Sequence, residues 1–393
     1  MVYLDNAATT PMDEEVMERI QEAMRDSFAN SSASYRIGLD AKSVIERSIQ
    51  SIKENLRIPS THRLVFTSGG TESNNLFIKG LCFPDKKTSF LGLEHPSIIE
   101  SLKTFGEYGN EPISLLPFQS EGRLDLNSLS ILSENRVRLL CLSHVNNELG
   151  TINDPLNIIS ALARESPRTK LFLDGVQAIG KIKLDPKIWK GLAGYSISGH
   201  KIHGPKGIGL LVYNSNLVLN PQIHGGKQQF GVRSGTLALP LIVGLETAIK
   251  KAVEQTEKTQ KHFQRLCDYL VQGLKEMQER ITDLKIHFNS SIHADEIGQS
   301  PGILNFSFPP VEGEVILHHL ENKDIFVGLG SACSAHSKAP SRVLIGIGLS
   351  EEQARCSLRI SFSRNNTIED INHFLEAFET VYKTLYSSFL HKA

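Results

Sequence analysis

Cysteine is scarce in this chain. There are five among 393 residues, at positions 82, 141, 267, 333 and 356, and no Cys-x-x-Cys pair occurs. An odd, scattered set of thiols excludes a disulfide framework and a structural zinc site. An excess of one charge is also missing. Lys+Arg total 42 against 43 for Asp+Glu, a formal net charge of -1. Neither nucleic acid nor an anionic membrane is therefore expected as the primary partner. No apolar run is long enough to cross a bilayer. The N-terminal stretch MVYLDNAATTPMDEE has no basic leader, no long apolar segment and no Arg/Ser-rich transit pattern. The expectation is a soluble, cytoplasmic protein, in which an Asn-x-Ser match such as the one at Asn289 carries no weight. Internal repeats and low-complexity segments are absent as well.

What remains is ordinary globular composition, 40% hydrophobic and 22% charged, and a length that suits two or three domains, each burying its own core. Residues 13–28 place Val16, Met17, Ile20, Met24 and Phe28 at helical spacing behind acidic residues. A second amphipathic helix is predicted over 41–56. From about residue 63, short apolar runs (RLVF, RLLCLSHV, KLFLD) alternate with helical ones, the signature of a parallel sheet with right-handed crossovers. After about residue 240 one long helical stretch is predicted, with Phe263, Leu266, Leu270, Leu274 and Met277 as its stripe. The strands GILNFSF and SLRISFS follow, then a last helix presenting Ile371, Phe374, Leu375, Phe378 and Tyr382.

Three windows carry chemistry. In VFTSGGTESNNL (65–76) a strand runs through Ser68-Gly69-Gly70-Thr71 into a helix; glycine permits close backbone approach, and the helix start favours a phosphate. No Gly-Lys-Ser/Thr follows, so this is not a Walker A loop. In LFLDGVQAIG (171–180) a strand ends on Asp174, where a carboxylate can cap a turn or hold a cationic ring nitrogen. In YSISGHKIHGPKGIG (195–209) Lys201 sits in a crowded Gly-flanked turn, a setting that lowers a lysine pKa and suits a Schiff base, whereas Lys206 reads as an exposed turn lysine. Each window alone admits a purely structural reading. Their order matches the needs of pyridoxal phosphate, which takes a Schiff-base lysine and a carboxylate at its pyridinium nitrogen. A fourth window, GLGSACSAHSKAP (328–340), sets Cys333 among small residues rather than in an apolar element.

With YLDNAATTP, LEHPSI, SHVNNELGT, VRSGT and VEGE, and above all SGHKIHGPKGIG together with GSAC, the chain resembles the NifS/IscS-type cysteine desulfurases of the class V aminotransferase group over nearly its whole length. The resemblance implies an α/β fold of type I pyridoxal-phosphate enzymes: a large domain with a mainly parallel seven-stranded sheet (about 12–255), and a smaller α+β domain (1–11 and 256–393) carrying the cysteine loop. It implies a homodimer. Lys201 would hold the cofactor, Asp174 pair with its ring nitrogen, Gln177 meet the ring hydroxyl, and His95 stack on the ring and handle protons. Gly70, Thr71, Ser198 and His200 would bind phosphate, with Thr236 arriving from the partner subunit. Asn147 and Arg359 would hold the substrate carboxylate. Cys333 would take sulfur from L-cysteine as a persulfide, leaving L-alanine. His336, Lys338 or His95 could raise its thiolate fraction.

The alternatives are a selenocysteine lyase or another class V aminotransferase and, from a different class, a non-catalytic sulfur-relay protein, against which Lys201, Asp174 and Cys333 argue. No permanent metal is expected, although Cys333 could ligate an iron–sulfur cluster transiently. The acceptor, an iron–sulfur scaffold or another sulfur carrier, stays open. The family pattern changes at Ser31 and Tyr35 (ANSSASYRIG) and at Lys227, Gln229 and Phe230 (GGKQQFGVRSGT), positions tied to partner docking and substrate positioning and outside the cofactor set. The tail stops at FLHKA, where family members that dock scaffolds continue further.

Overall fold

The computed structural model describes residues 1–81, 86–106, 109–118, 122–292, 298–329 and 339–390. In chain order the elements are β1 (Val2–Tyr3), α1 (Glu14–Asp26), α2 (Arg36–Asn55), β2 (His62–Thr67), α3 (Gly70–Leu81), β3 (Thr88–Leu91), α4 (Pro96–Lys103), β4 (Ile113–Leu115), β5 (Pro117–Phe118), β6 (Arg123–Leu124), α5 (Ser130–Glu134), β7 (Leu139–Ser143), α6 (Pro155–Glu165), β8 (Lys170–Asp174), β9 (Leu192–Ser198) and β10 (Gly209–Asn214). The C-terminal part adds α7 (Leu239–Glu254), α8 (Thr256–Arg280), β11 (His287–Phe288), β12 (Ile303–Ser307), α9 (Gly313–Glu321), β13 (Ile325–Phe326), α10 (Arg342–Gly346), α11 (Glu351–Arg355), β14 (Ser357–Ser361) and α12 (Ile368–Leu390).

Seven strands form one sheet in the order β2-β10-β9-β8-β7-β3-β4, all parallel except β10, which runs antiparallel to both its neighbours. Residues alternate faces along each strand. Leu64, Phe66, Leu140, Leu142, Leu171, Leu173, Leu210 and Val212 point into one core, under helices α1, α2, α6 and α7. Val65, Leu139, Cys141, Phe172, Leu211 and Tyr213 point into the other, under α3 and α4. Both faces are covered, which is why the central strands read as nearly unbroken apolar runs. A separate core gathers Val2 and Leu4 with Phe263, Leu266, Leu270, Phe306, Phe374 and Phe378, packed around the three-stranded sheet β11-β12-β14. Each fully buried phenylalanine there contributes about 2–3 kcal/mol by removal from water.

Two expectations are corrected. The α1 stripe is Val16, Ile20 and Ala23, which are buried, while Met17, Met24 and Phe28 are 42%, 57% and 76% exposed. Two apolar rows run side by side on this helix, and only the one facing α7 is covered. The long stretch after 240 is two helices, broken at Gln255; α7 packs on the large-sheet core and α8 on the C-terminal core. The stripe on α8 and that on α12 are buried as expected, Leu375 only in part. No helix among the described residues is long and apolar enough to cross a membrane.

Candidate active site

Strands β2, β7, β8 and β9 end on the same side of the sheet, at Thr67, Ser143, Asp174 and Ser198. Ligands of open α/β sheets bind at such carboxyl ends. A cavity of about 250 Å³ lies there, lined by Gly70 and Thr71 at the start of α3, by His95, Asn147, Asp174 and Gln177, by Ser198, His200 and Lys201 after β9, and by Arg359 of β14. Ten of the expected site residues thus converge on one space from windows scattered over 290 positions of sequence. Thr236 does not line it; it lies exposed on the segment before α7. Cys333, His336 and Lys338 lie outside the described residues.

The approach of backbone to this space is close. A Cβ at Gly70 would meet Val176 Cγ2 at 2.7 Å, so any larger residue would shift the loop. Ser198 Oγ is buried with no hydrogen-bond partner among the described residues, an unmet donor beside the α3 N-terminus. His200 hydrogen-bonds Thr9 Oγ1 through Nδ1 at 3.1 Å. Burial, then the charges of Lys201, Lys206 and Lys181, push its pKa down to about 4, so the ring is neutral.

Asp174 Oδ2 accepts from Asn74 Nδ2 at 2.7 Å and Oδ1 from Val176 N at 3.0 Å. Asn74 also donates to Ser97 Oγ. His95 caps α4: Ser97 N donates to its Nδ1 at 3.1 Å. A backbone N–H can only donate, so Nδ1 is unprotonated and the neutral ring carries its proton on Nε2. Burial, first among its causes, lowers the His95 pKa. The capping role and the cavity role of this residue therefore coexist. Lys201 Nζ donates to the carbonyls of Ala7 and Ala8, each at 2.5 Å, whereas Lys206 is exposed.

Arg359 is 2% exposed. Its Nη2 meets Asp5 Oδ1 at 2.6 Å, its Nη1 donates to Asn147 O at 3.0 Å, and its Nε has no partner among the described residues. Its backbone pairs with Gly328 in both directions. This places the root of the 328–340 segment directly against the arginine, and a Cβ at Gly328 would lie 2.8 Å from Arg359 Nη2. Three of the other cysteines are buried: Cys141, Cys267 and Cys356. Burial pushes the Cys267 thiol up to about 12 and the Cys356 thiol up to about 11, leaving both protonated at neutral pH. Cys82 lies outside the described residues.

Asn74, Ser143 and Asp5 escaped sequence reasoning. Asn74 follows Gly70 by one helical turn, a spacing that could have marked it; Asp5 sits 354 positions from Arg359, and no local signal links them. One departure from the family pattern has a visible role. Gln229 accepts from Phe66 N at 2.6 Å and donates to Phe66 O at 2.9 Å, so its carboxamide pairs with edge strand β2 as another strand would. Phe230, at φ 63 and 62% exposed, stacks under the Arg63 guanidinium at 4.8 Å.

A family model described as aminotransferase class-V matches residues 2–374. Cysteine desulfurase IscS of Dictyoglomus turgidum is 35% identical over 388 residues, covering 98% of this chain and 95% of that protein. A solved structure titled NifS-like protein superposes with a TM-score of 0.87 at 28% identity, covering 98% of this chain and 99% of that one. Another, SspA in complex with cysteine, gives a TM-score of 0.73 at 30% identity, covering 92% and 99%. The seven-stranded sheet, the smaller C-terminal sheet and these full-length matches agree: the chain belongs to the class-V aminotransferase family, among its cysteine desulfurases.

Proposed function

We propose that the protein is a pyridoxal-phosphate-dependent desulfurase of L-cysteine that works as a homodimer. The observation that carries this reading is the convergence of Lys201, Asp174, His95 and Arg359 on one cavity at the strand ends. The residues present fit the cofactor. Ser198 Oγ is an unmet buried donor, the α3 N-terminus and Thr71 supply more, and Gly70 leaves room for close approach. Lys201 would hold it through Nζ, Asp174 would pair with its ring nitrogen, and Gln177 would meet its ring oxygen. When bound, the cofactor supplies an electron sink for a carbanion at the substrate α-carbon.

The chain's own groups do the rest. Arg359, fixed by Asp5 and the Asn147 carbonyl, binds the substrate carboxylate, a task that suits a guanidinium fork. Lys201 Nζ moves the α-proton. His95, protonated at Nε2, can hand a proton to the reacting atoms. The Cys333 thiolate attacks the substrate sulfur; an S–S bond forms, the Cβ–S bond breaks, and its electron pair stays on Cβ, which takes a proton to give L-alanine. Cys141, Cys267 and Cys356 are held protonated or rigid in cores, which supports Cys333 as the carrier. Thr236, exposed in one copy, would complete the phosphate site of the other. A thiolate of the sulfur acceptor, scaffold or carrier, then attacks the outer sulfur; a new S–S bond forms, the bond to Cys333 breaks, and Cys333 leaves as thiolate.

The test combines alanine release from L-cysteine with mass spectrometry of the protein. One added sulfur is expected in the wild type and none in Cys333→Ser, with alanine production lost. A persulfide on Cys356, or full activity in Cys333→Ser, refutes the reading.

A further inference from the structure

Lys181 is buried, 7% exposed. No carboxylate lies within ion-pairing distance of it among the described residues, and its side chain's one hydrogen-bond partner there is Gln177 Oε1, four residues back in the same turn segment. A lysine placed so pays a large desolvation cost. Burial, then the charges of Lys201 and Arg359, push its pKa down to about 7. A neutral or an ionised amine can both donate N–H to Oε1, so the contact survives either state. The other half of the same carboxamide, Gln177 Nε2, donates to Ala7 O at 2.8 Å, and Ala7 lines the cavity and also receives Lys201.

We propose that Lys181 is a positioning residue: by donating to Gln177 Oε1 it locks the Gln177 carboxamide with its N–H2 group turned to the cavity, the only orientation in which Gln177 can donate to a ring oxygen of the cofactor. The inference rests on the cofactor reading above and extends it to a residue that does not line the main cavity. Without Lys181, Oε1 would sit in a buried place with no donor. The carboxamide would then be held by the Ala7 carbonyl alone, one anchor in place of two, and a turned carboxamide would present an acceptor where a donor is needed. Lys181 and Lys201 also share the wall of a small adjoining cavity, so the lysine backs the segment that carries the cofactor amine.

The experiment is a double-mutant cycle on the purified full chain, titrated with pyridoxal phosphate and read by the visible absorption band and by fluorescence quenching. Lys181→Met and Gln177→Ala should each weaken binding about tenfold, the worth of one well-placed hydrogen bond, and shift the visible band in the same direction. The double variant should lose no more than about tenfold, because both changes remove one contact. Methionine keeps the length of the buried lysine stem and donates no hydrogen bond; should Lys181→Met not fold, Lys181→Leu, which also lacks a donor, decides in the same cycle. Unchanged affinity in the Lys181 variant overturns the inference, as does a double variant whose losses multiply to about a hundredfold. A wild type that binds no pyridoxal phosphate overturns the function reading, and this inference with it; wild-type binding with an indifferent Lys181 overturns the inference alone.

Discussion

Asp174→Asn separates the charge of the strand-end carboxylate from its shape. Val176 N needs an acceptor at 3.0 Å, so the new carboxamide keeps its oxygen there and puts N–H2 where Oδ2 was. That group would face Asn74 Nδ2, donor against donor, at 2.7 Å. Asn74 can relieve the clash by turning its amide, whose Oδ1 is buried with no partner among the described residues, and gives up its donation to Ser97 Oγ in doing so. The fold should therefore lose only about 1 kcal/mol, a few degrees of melting temperature at most. The chemistry should lose far more. A carboxylate about 3 Å from a cationic ring nitrogen, at an effective dielectric near 20, is worth about 5 kcal/mol. Removing it should lower kcat for alanine formation by about a thousandfold or more. The assay is alanine release at saturating L-cysteine, paired with thermal unfolding of the cofactor-free protein. A variant within tenfold of wild-type kcat would refute the reasoning. So would a collapse of the cofactor-free fold, which would make Asp174 a structural group first.

Borohydride reduction of the cofactor-loaded protein followed by peptide mapping should place the label on Lys201, and a label on exposed Lys206 would refute that assignment. Arg359→Lys should raise KM for L-cysteine about 10–100-fold with a smaller change in kcat, since one ammonium cannot replace the fork that meets Asp5 and Asn147 together; an unchanged KM would remove Arg359 from the substrate carboxylate. His144, wholly buried against Tyr195 OH at 2.9 Å, is pushed by burial down to about 3, so between about pH 6.5 and 3 the unfolded chain binds the extra proton and stability falls as pH falls. His144→Gln should therefore lose about 2–3 kcal/mol less than wild type between pH 7 and 4.5 in urea unfolding, and parallel pH profiles would contradict the assignment.

How much of this was legible in the sequence depends on the range of each interaction. The short apolar runs RLVF, RLLCLSHV and KLFLD, alternating with helical ones, announced the central strands because both faces of the sheet are covered and each strand is apolar along most of its length. The Gly-rich windows announced the site because close backbone approach leaves glycine as the residue that fits, as the Val176 contact at Gly70 shows. The break at Gln255 was not legible: helical periodicity runs through it without glycine or proline, and what changes there is the core against which each helix packs. Met17 and Met24 were misassigned for a related reason, since a helix with two apolar rows does not say which one a neighbour will cover. Asp5 is the instructive case. Its pairing with Arg359 depends on the N-terminal segment lying beside β14, across nearly the whole chain. The same arginine is paired through its backbone with Gly328. A substrate carboxylate held by Arg359, as proposed, would therefore lie next to Gly328. On the proposed function, Gly328 is thus the described residue that ties the binding end of β14 to the stretch of sequence holding Cys333.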